Sequence, residues 1–254
     1  MVDETGQVVV DDVSFTVRSG EVYAVAGVQG NGQTELTESL IGLTRPTSGR
    51  IRIDGDDVTR ESIDEILSRG VGYVPEDRSH DGMVGGFTIA ENLVLDIFDQ
   101  PPFARGMSLD LKAIGDNAEH RVQEFDIRTP SIHASASTLS GGNQQKLVLA
   151  RELSRPLKIL VVAQPTRGVD VGSQEFVHKR IVEERDNGAA VVLISSELDE
   201  VLGLADRIAV MYRGRIIGEV PTGTPAEEIG LLMAGSSIES AQDGPDSGMD
   251  GEAP

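Results

Sequence analysis

Apolar and polar residues alternate along residues 7–18, and this period of two predicts a half-buried β-strand. A mostly apolar run follows at residues 21–27, which predicts a buried strand that runs into a glycine-rich loop. Apolar positions in residues 34–41 recur with the spacing of a helix. The chain therefore opens with a strand, a second strand and a helix.

Strand-sized and helix-sized patterns continue to alternate along the rest of the chain. Strands are predicted at residues 47–55, 71–74, 159–163 and 189–195, and helices at residues 62–68, 174–187 and 199–205. Residues 207–219 predict a hairpin that turns at Arg213 and Gly214. This alternation is typical of an α/β core with a mostly parallel sheet, to which the 47–55 strand with its Asp-Gly turn adds an antiparallel part.

The middle of the chain, about residues 88–155, has a different pattern. It predicts three helices, at residues 89–95, 109–125 and 141–153, with a break at Pro101-Pro102. We expect a helical subdomain inserted in one domain of residues 1–235. Residues 236–254 are rich in Gly, Pro, Ser and acidic residues, so we expect a disordered acidic tail.

Composition excludes several classes of function. The chain has no cysteine, so it has neither disulfides nor thiolate metal sites. No apolar run reaches the roughly 18–20 residues that span a bilayer, so a membrane role has to be peripheral. The formal net charge is −20, from 22 basic and 42 acidic residues, which argues against nucleic acid as a partner. A salt-rich cytoplasm and a biased genome explain this excess of acid equally well.

Residues 27–34, with the sequence GVQGNGQT, lie where a phosphate-binding loop belongs, between a strand and a helix. The pattern for such a loop is G-x-x-x-x-G-K-[ST], and here Gln33 replaces the lysine. The glycines still allow backbone amides to converge on a phosphate, and the Thr34 hydroxyl can still bind Mg²⁺. A plain glycine-rich turn is the alternative. The predicted nucleotide-binding residues are Gly27, Gly30, Asn31, Gly32, Gln33 and Thr34.

A second glycine-rich segment, LSGGNQQK at residues 139–146, begins an amphipathic helix. Ser140 is placed to cap that helix with its hydroxyl, and the two glycines leave the helix N-terminus open to an anion. The residues assigned to this signature are Ser140, Gly141, Gly142, Asn143 and Gln144.

The two glycine-rich segments together identify a resemblance to the ATP-binding cassette (ABC) ATPases, which extends from about residue 8 to residue 219. The resemblance implies a P-loop NTPase fold with an ABC-type core, an antiparallel β subdomain and an inserted helical subdomain. The order of the landmarks matches: phosphate loop, Q-loop, helical subdomain, signature, Walker B strand, D-loop and switch. The segments PEDR (residues 75–78) and QPTRG (residues 164–168) further resemble second ATPase domains of simple-sugar and nucleoside importers.

The resemblance also locates departures from the family pattern. Ala163 and Gln164 take the places of the Walker B aspartate and the catalytic glutamate, and Ser196 takes the place of the switch histidine. Glu76 occupies the Q-loop glutamine position. Because phosphoryl transfer depends on charges around the γ-phosphate, we expect this site to hydrolyse ATP slowly or not at all, with weak or absent Mg²⁺ binding.

The signature and the D-loop aspartate, Asp170, match the family. By resemblance these residues serve the ATP of another ABC ATPase domain, so the chain is expected to be the degenerate half of a tandem pair. The implied partners are that second domain, membrane permease subunits and, indirectly, a solute-binding protein, at the cytoplasmic face of the membrane. The alternatives are a decaying domain, a non-transport ABC ATPase, and a regulatory module that binds ATP without turnover.

Overall fold

A computed structural model of the chain describes residues 1–2 and 5–235. Its centre is a six-stranded sheet with the strand order β10-β9-β1-β8-β7-β4. Every neighbouring pair in this sheet is parallel except β9 and β10, which form an antiparallel hairpin. The sheet strands are β1 (Val22–Ala26), β4 (Val71–Val74), β7 (Ile159–Ala163), β8 (Ala190–Ser195), β9 (Arg207–Tyr212) and β10 (Arg215–Pro221).

The central strands are buried because helices and loops cover both faces of the sheet. All five residues of β1 are buried between β8 and β9, as apolar runs without alternation predict for a parallel sheet. Alternate residues of β1 belong to different clusters: Val22 and Ala24 face one core, and Tyr23 and Val25 face the other. The predicted α/β class with a mostly parallel sheet is confirmed.

Eight α-helices lie within the described residues, and most agree with the predicted spans to within a few positions. Ser62 and Glu65 form a capping box at the start of α2, and Thr88 and Glu91 form one at the start of α3. The short C-terminal helix α8 was not predicted. The helices are α1 (Gln33–Leu40), α2 (Ile63–Ser68), α3 (Ile89–Asn92), α4 (Leu111–Glu124), α5 (Gly141–Glu152), α6 (Val171–Asp186), α7 (Leu198–Leu204) and α8 (Ala226–Met233).

The strand predicted over residues 7–18 is wrong. Only Val8 forms an isolated bridge, with Val2, and residues 11–18 have no strand partner. The side chains at Val13, Phe15 and Val17 are still half-buried, and Phe15 stacks on Tyr23 with 5.0 Å between ring centroids. The alternation therefore reflects packing of side chains against β1. A strand also needs a continuous ladder of backbone hydrogen bonds, and residues 11–18 are in no such ladder.

The strand predicted over residues 47–55 is shorter than expected. Strand β2 (Arg52–Ile53) pairs with β3 (Asp56–Asp57) around Asp54 and Gly55, which have φ angles of 52° and 89°. The predicted Asp-Gly turn is confirmed, since both central residues have the positive φ that such turns require. In the helical block, β5 (Ala104–Arg105) and β6 (Ser108–Leu109) make a second small hairpin.

The predicted tail of residues 236–254 lies outside the described residues. Among the described helices, none is both long and apolar enough to cross a bilayer. The carboxyl ends of β1, β4, β7 and β8 meet at one edge of the sheet because these strands are parallel. That edge brings together the segments that follow them in the sequence.

Candidate nucleotide site and signature helix

The glycine-rich loop of residues 27–34 connects β1 to α1 in a turn that only glycine can make. Gly30 and Gly32 have φ angles of 87° and 96°, in the left-handed region. A Cβ added to Gly32 would lie 2.2 Å from the carbonyl oxygen of Val9. The loop therefore has the backbone of a phosphate-binding turn at a helix N-terminus.

Gln33, at the lysine position, is buried inside this loop with an exposed fraction of 5%. Its Nε2 lies 2.7 Å from where a Cβ on Gly27 would stand. Among the described residues, Nε2 has no hydrogen-bond partner, and leaving a buried donor unpaired costs about 1–3 kcal/mol. A phosphate oxygen in the loop would accept this bond, so the site fits the phosphate chain of a nucleotide. Gln33 supplies a donor there without the lysine's charge.

Asn31 has a structural role in the loop. Its Nδ2 donates to the carbonyl oxygen of Val28 at 2.9 Å, and its Oδ1 accepts from the backbone amide of Arg213 at 2.9 Å. The backbone amide of Gly214 also donates to the Asn31 carbonyl oxygen at 2.9 Å. These bonds fasten the loop to the turn between β9 and β10, and the assignment of Asn31 to nucleotide binding stays a prediction.

Glu76, which follows β4, reaches across the sheet edge to the same loop. Its Oε1 accepts from Nε2 of Gln29 at 2.9 Å, and Oγ1 of Thr34 lies 3.5 Å from its Oε2. The guanidinium of Arg167, which follows β7, pairs with Oε1 of Glu76. Sequence reasoning selected Glu76 and Thr34. Gln29 lies in the GVQGNGQT segment and Arg167 in the QPTRG segment, but neither was given a role, because their contact with Glu76 depends on the fold.

Gln164 and Ser196 lie side by side at the ends of β7 and β8. Oε1 of Gln164 accepts from both the backbone amide and the hydroxyl of Ser196, each at 3.2 Å. Gln164 is a non-glycine residue with a φ of 47°, and Ala163 before it is buried and contributes no polar side-chain atom. The two residues assigned to the degenerate catalytic positions are therefore hydrogen-bonded to each other through the side-chain oxygen of Gln164.

Helix α5 begins at the signature, as predicted, but its cap differs. Ser140 occupies the N-cap position, yet its hydroxyl makes no bond to the backbone amides of the first turn. It accepts instead from Nδ2 of Asn143 at 2.9 Å. The expected hydroxyl cap is wrong because the Asn143 side chain competes for the same oxygen. No cap from Ser140 occupies the amides of the first turn.

The two signature glycines are required by close packing. A Cβ on Gly141 would lie 2.6 Å from Nη2 of Arg78 and 3.1 Å from the carbonyl oxygen of Gly168. One on Gly142 would lie 2.2 Å from Oγ of Ser173 and 2.8 Å from Oδ2 of Asp170. The N-terminus of α5 and the D-loop therefore form one packed unit.

Asp170 caps helix α6 and stays ionised. Its Oδ2 accepts from the Ser173 hydroxyl at 2.8 Å, and its Oδ1 accepts from the Ser173 amide at 3.0 Å. These hydrogen bonds hold the pKa of the Asp170 carboxyl below its usual value. The D-loop aspartate thus fixes the start of α6 beside the signature.

Arg78, which sequence reasoning did not select, connects the segment after Glu76 to the D-loop, residues 167–170. Its Nη1 donates to the carbonyl oxygen of Arg167 at 2.7 Å and its Nη2 to that of Gly168 at 3.3 Å. On the signature helix, Oε1 of Gln144 lies 3.5 Å from the Ser79 hydroxyl. The Q-loop segment, the D-loop and the signature helix are therefore connected by direct contacts.

The described residues contain no group of three or more His, Asp or Glu side chains that could hold a metal ion. At the phosphate loop, the oxygen donors are the Thr34 hydroxyl and the Glu76 carboxylate. This set fits Mg²⁺ that takes most of its ligands from water and substrate phosphates. Ala163 adds no ligand where the resemblance implies an aspartate.

A family model described as ABC transporter matches residues 10–167. The chain belongs to this family. Three curated relatives of this ABC chain are import ATP-binding proteins. The nucleoside import ATP-binding protein NupA of Lactococcus lactis is 46% identical over 93% of this chain and 47% of the relative. The guanosine import ATP-binding protein NupO of Bacillus subtilis is 44% identical over 94% and 47%.

The third relative, the glucose import ATP-binding protein TsgD13 of Haloferax volcanii, is 42% identical over 95% of this ABC chain and 44% of the relative. The chain thus spans about half the length of the curated relatives it matches.

Solved structures confirm the ABC ATPase fold of the chain. A nucleotide-free ATP-binding cassette from an ABC transporter superposes with a TM-score of 0.74 at 23% identity, over 93% of each chain. A dimeric cassette in a post-hydrolysis state bound to ADP and Pi superposes with a TM-score of 0.72 at 21% identity, over 84% of this chain and 90% of that one. At these identities the likeness concerns the fold of this ABC chain.

Proposed function

We propose that this chain is the degenerate ATPase half of an ABC importer for a nucleoside or a simple sugar. It completes, with its signature and D-loop, the ATP site of another ABC ATPase domain. The observation that carries the proposal is a contrast between its two surfaces. Gly142 packs directly against Asp170, and Gly141 against the carbonyl oxygen of Gly168, whereas the groups that handle the γ-phosphate on the other surface are replaced.

The chain's own site is poorly equipped for hydrolysis. Gln164 can hydrogen-bond a water but cannot accept its proton, and its Oε1 already binds Ser196. Ala163 cannot hold a metal-bound water, and Gln33 brings no charge to the phosphates. ATP bound here turns over slowly or not at all.

The signature surface is suited to an external anion. Ser140 is exposed, and α5 begins at Gly141 without a side-chain cap on its first-turn amides. The positive end of a helix dipole with open amides favours a phosphate. In trans, these groups would meet the γ-phosphate of ATP held by the phosphate loop of the partner domain.

The tandem arrangement is supported by length. The relatives are about twice as long as the match to this chain, which leaves room for a second ATPase domain in the same natural chain. The import names of these relatives support membrane permease subunits and a solute-binding protein as further partners, with the chain on the cytoplasmic face of the membrane.

The test is ATP hydrolysis by the whole transporter, measured as phosphate release. We expect Ser140→Ala to lower turnover at least about tenfold, because it removes a donor from the transition-state charge. Ser137→Ala, at another exposed serine in the segment before α5, is the matched control and keeps full turnover. Unchanged turnover in Ser140→Ala, or rapid hydrolysis by this chain alone, contradicts the proposal. If this chain binds nucleotide but Ser140→Ala leaves ATP hydrolysis by the partner domain unchanged, the chain is a regulatory module instead.

A further inference from the structure

The phosphate loop lacks its lysine, but Arg167 is held next to the loop by the carboxylate of Glu76. Arg167 pairs with Oε1 of Glu76, and the same oxygen accepts from Gln29 at 2.9 Å. Oε2 of Glu76 lies 3.5 Å from the Thr34 hydroxyl. Three donors from two sheet-edge segments thus converge on one internal anion.

Deeper in the loop, the Gln33 side chain holds a buried hydrogen-bond donor that has no partner among the described residues. Gln33 is 5% exposed, and its Nε2, beside Gly27, has no acceptor within the described part of the chain. This unpaired donor points to a ligand that carries acceptor oxygens, because buried polar groups are normally paired. Gln33 directly precedes Thr34, whose hydroxyl lies 3.5 Å from Oε2 of Glu76, so the unpaired donor and the Glu76 cluster belong to the same loop.

We propose that Arg167 supplies the positive charge that the phosphate loop lacks. Glu76 holds the guanidinium in place, and the phosphate chain of a nucleoside triphosphate displaces the carboxylate from it. This inference rests on the proposed ATP-handling role of the chain. The side chain of Arg167 is 54% exposed and that of Glu76 is 23% exposed, so the pair can open without disturbing the core.

The exchange is electrostatically favourable. A guanidinium binds phosphate oxygens with the same two-pronged geometry with which it binds a carboxylate, and a phosphate group carries more negative charge than a carboxylate. Gln29 and Thr34 offer donors to either group. The Glu76 carboxylate holds the Arg167 side chain at the loop before nucleotide binds. Less side-chain entropy of Arg167 is therefore lost on binding.

The experiment is calorimetric titration of this chain with ATP, ADP and adenosine, with and without Mg²⁺. We expect Arg167→Gln to weaken ATP binding about tenfold or more, since hydrogen bonds between charged groups are the strong ones. Adenosine, which has no phosphate, should be unaffected. Arg167→Lys should retain part of the ATP affinity. In the titration without Mg²⁺, Glu76→Gln should raise the ATP affinity several-fold, because the carboxylate that competes with the phosphates for Arg167 is gone.

Arg50→Gln is the matched control, since Arg50 is an exposed arginine in a surface ion pair with Asp57. Its ATP affinity should equal that of the wild type. As a positive test, Gln33→Lys in the Arg167→Gln background should restore ATP binding by returning a cation to the loop.

Equal ATP affinity in the wild type and Arg167→Gln overturns the inference. So does an equal loss of affinity in Glu76→Gln and Arg167→Gln, because that result makes the pair a scaffold and not an exchangeable anion site. No saturable ATP binding by the wild type also overturns it. The proposed role of the signature at the partner domain's ATP site is measured in a different experiment, ATP hydrolysis by the whole transporter. Either proposal can therefore fail without the other.

Discussion

Gln164 and Ser196 are joined by two hydrogen bonds of 3.2 Å, both accepted by Oε1 of Gln164. These residues occupy the positions where ABC resemblance places a catalytic glutamate and a switch histidine. The side-chain oxygen of Gln164 thus accepts from a backbone amide and from a hydroxyl of this same chain. The pair has thus become a structural link between the ends of β7 and β8.

This link predicts a stability effect. Gln164→Ala leaves the Ser196 amide and hydroxyl without their acceptor, and we expect a loss of about 1–2 kcal/mol in the free energy of unfolding. Urea denaturation measures it. Gln174→Ala, which removes only a 3.5 Å bond to the Val169 carbonyl, is the control and should change stability less. Equal effects of the two variants would show that the link contributes nothing.

A second prediction concerns the packing of the signature on the D-loop. Gly142→Ala places a Cβ 2.2 Å from Oγ of Ser173 and 2.8 Å from Oδ2 of Asp170. Overpacking of this kind costs about 1–3 kcal/mol. Gly203→Ala, in helix α7 with nothing within 4 Å, should instead stabilise the chain by about 0.5–1 kcal/mol. Thermal unfolding of both variants tests this, and a neutral Gly142→Ala would contradict the packing.

Arg78 is expected to keep the D-loop rigid, because it donates to the carbonyl oxygens of Arg167 and Gly168. In Arg78→Gln, amide hydrogen exchange of residues 167–170 should accelerate about tenfold, the effect of losing roughly 1.4 kcal/mol of local stability. Arg69→Gln is the control, since Arg69 pairs with Glu61 and Asp56 away from this loop. Unchanged exchange in Arg78→Gln would rule out the bracing role.

The capping box of helix α3 predicts a pH dependence. Hydrogen bonds from the Thr88 backbone amide and hydroxyl hold the pKa of Glu91 below its usual 4.5. Because the folded-state pKa is the lower one, ionised Glu91 stabilises the fold above pH 4.5, and this stabilisation is lost as the pH falls through the folded-state pKa. Glu91→Gln should therefore be less stable at neutral pH, by less than about 1 kcal/mol.

The difference between Glu91→Gln and the wild type should shrink with acidification and vanish below the folded-state pKa. Urea denaturation at a series of pH values measures it. Glu119→Gln, on the exposed side of α4, controls for the loss of one negative charge. A difference that stays constant with pH would contradict the role of the ionised cap.

The net charge of −20 predicts that salt stabilises the chain. At high ionic strength the long-range repulsion among carboxylates is screened, whereas ion pairs in direct contact are screened less. We expect Tm to rise by a few degrees when NaCl is raised from low to about molar concentration. A fall of Tm with salt would mean that surface ion pairs outweigh the repulsion.

The candidate site residues were selected from the phosphate-loop pattern and from the resemblance to the ABC ATPases, and most of them lie close to strand ends. The phosphate loop, Gln164 and Ser196 come directly after β1, β7 and β8, and Glu76 is the second residue after β4. The parallel strands of the sheet end at one edge, so these positions meet there. Gln29, Arg78 and Arg167 were not predictable as members of the site, because their roles depend on which side chain from a distant segment they reach.

By itself, the sequence determined most element types, the need for glycines in the turn between β1 and α1 and at the start of α5, and the family. The element types follow from periodicity, the glycines from positive φ angles and close approaches that leave no room for a side chain, and the family from its sequence motifs. The tertiary structure decided three further points: residues 7–18 form no regular strand, the Ser140 hydroxyl binds Asn143, and Arg167 faces the phosphate loop through Glu76. Each depends on a hydrogen-bond or charge partner that folding supplies, and local residue patterns carry no information about that partner.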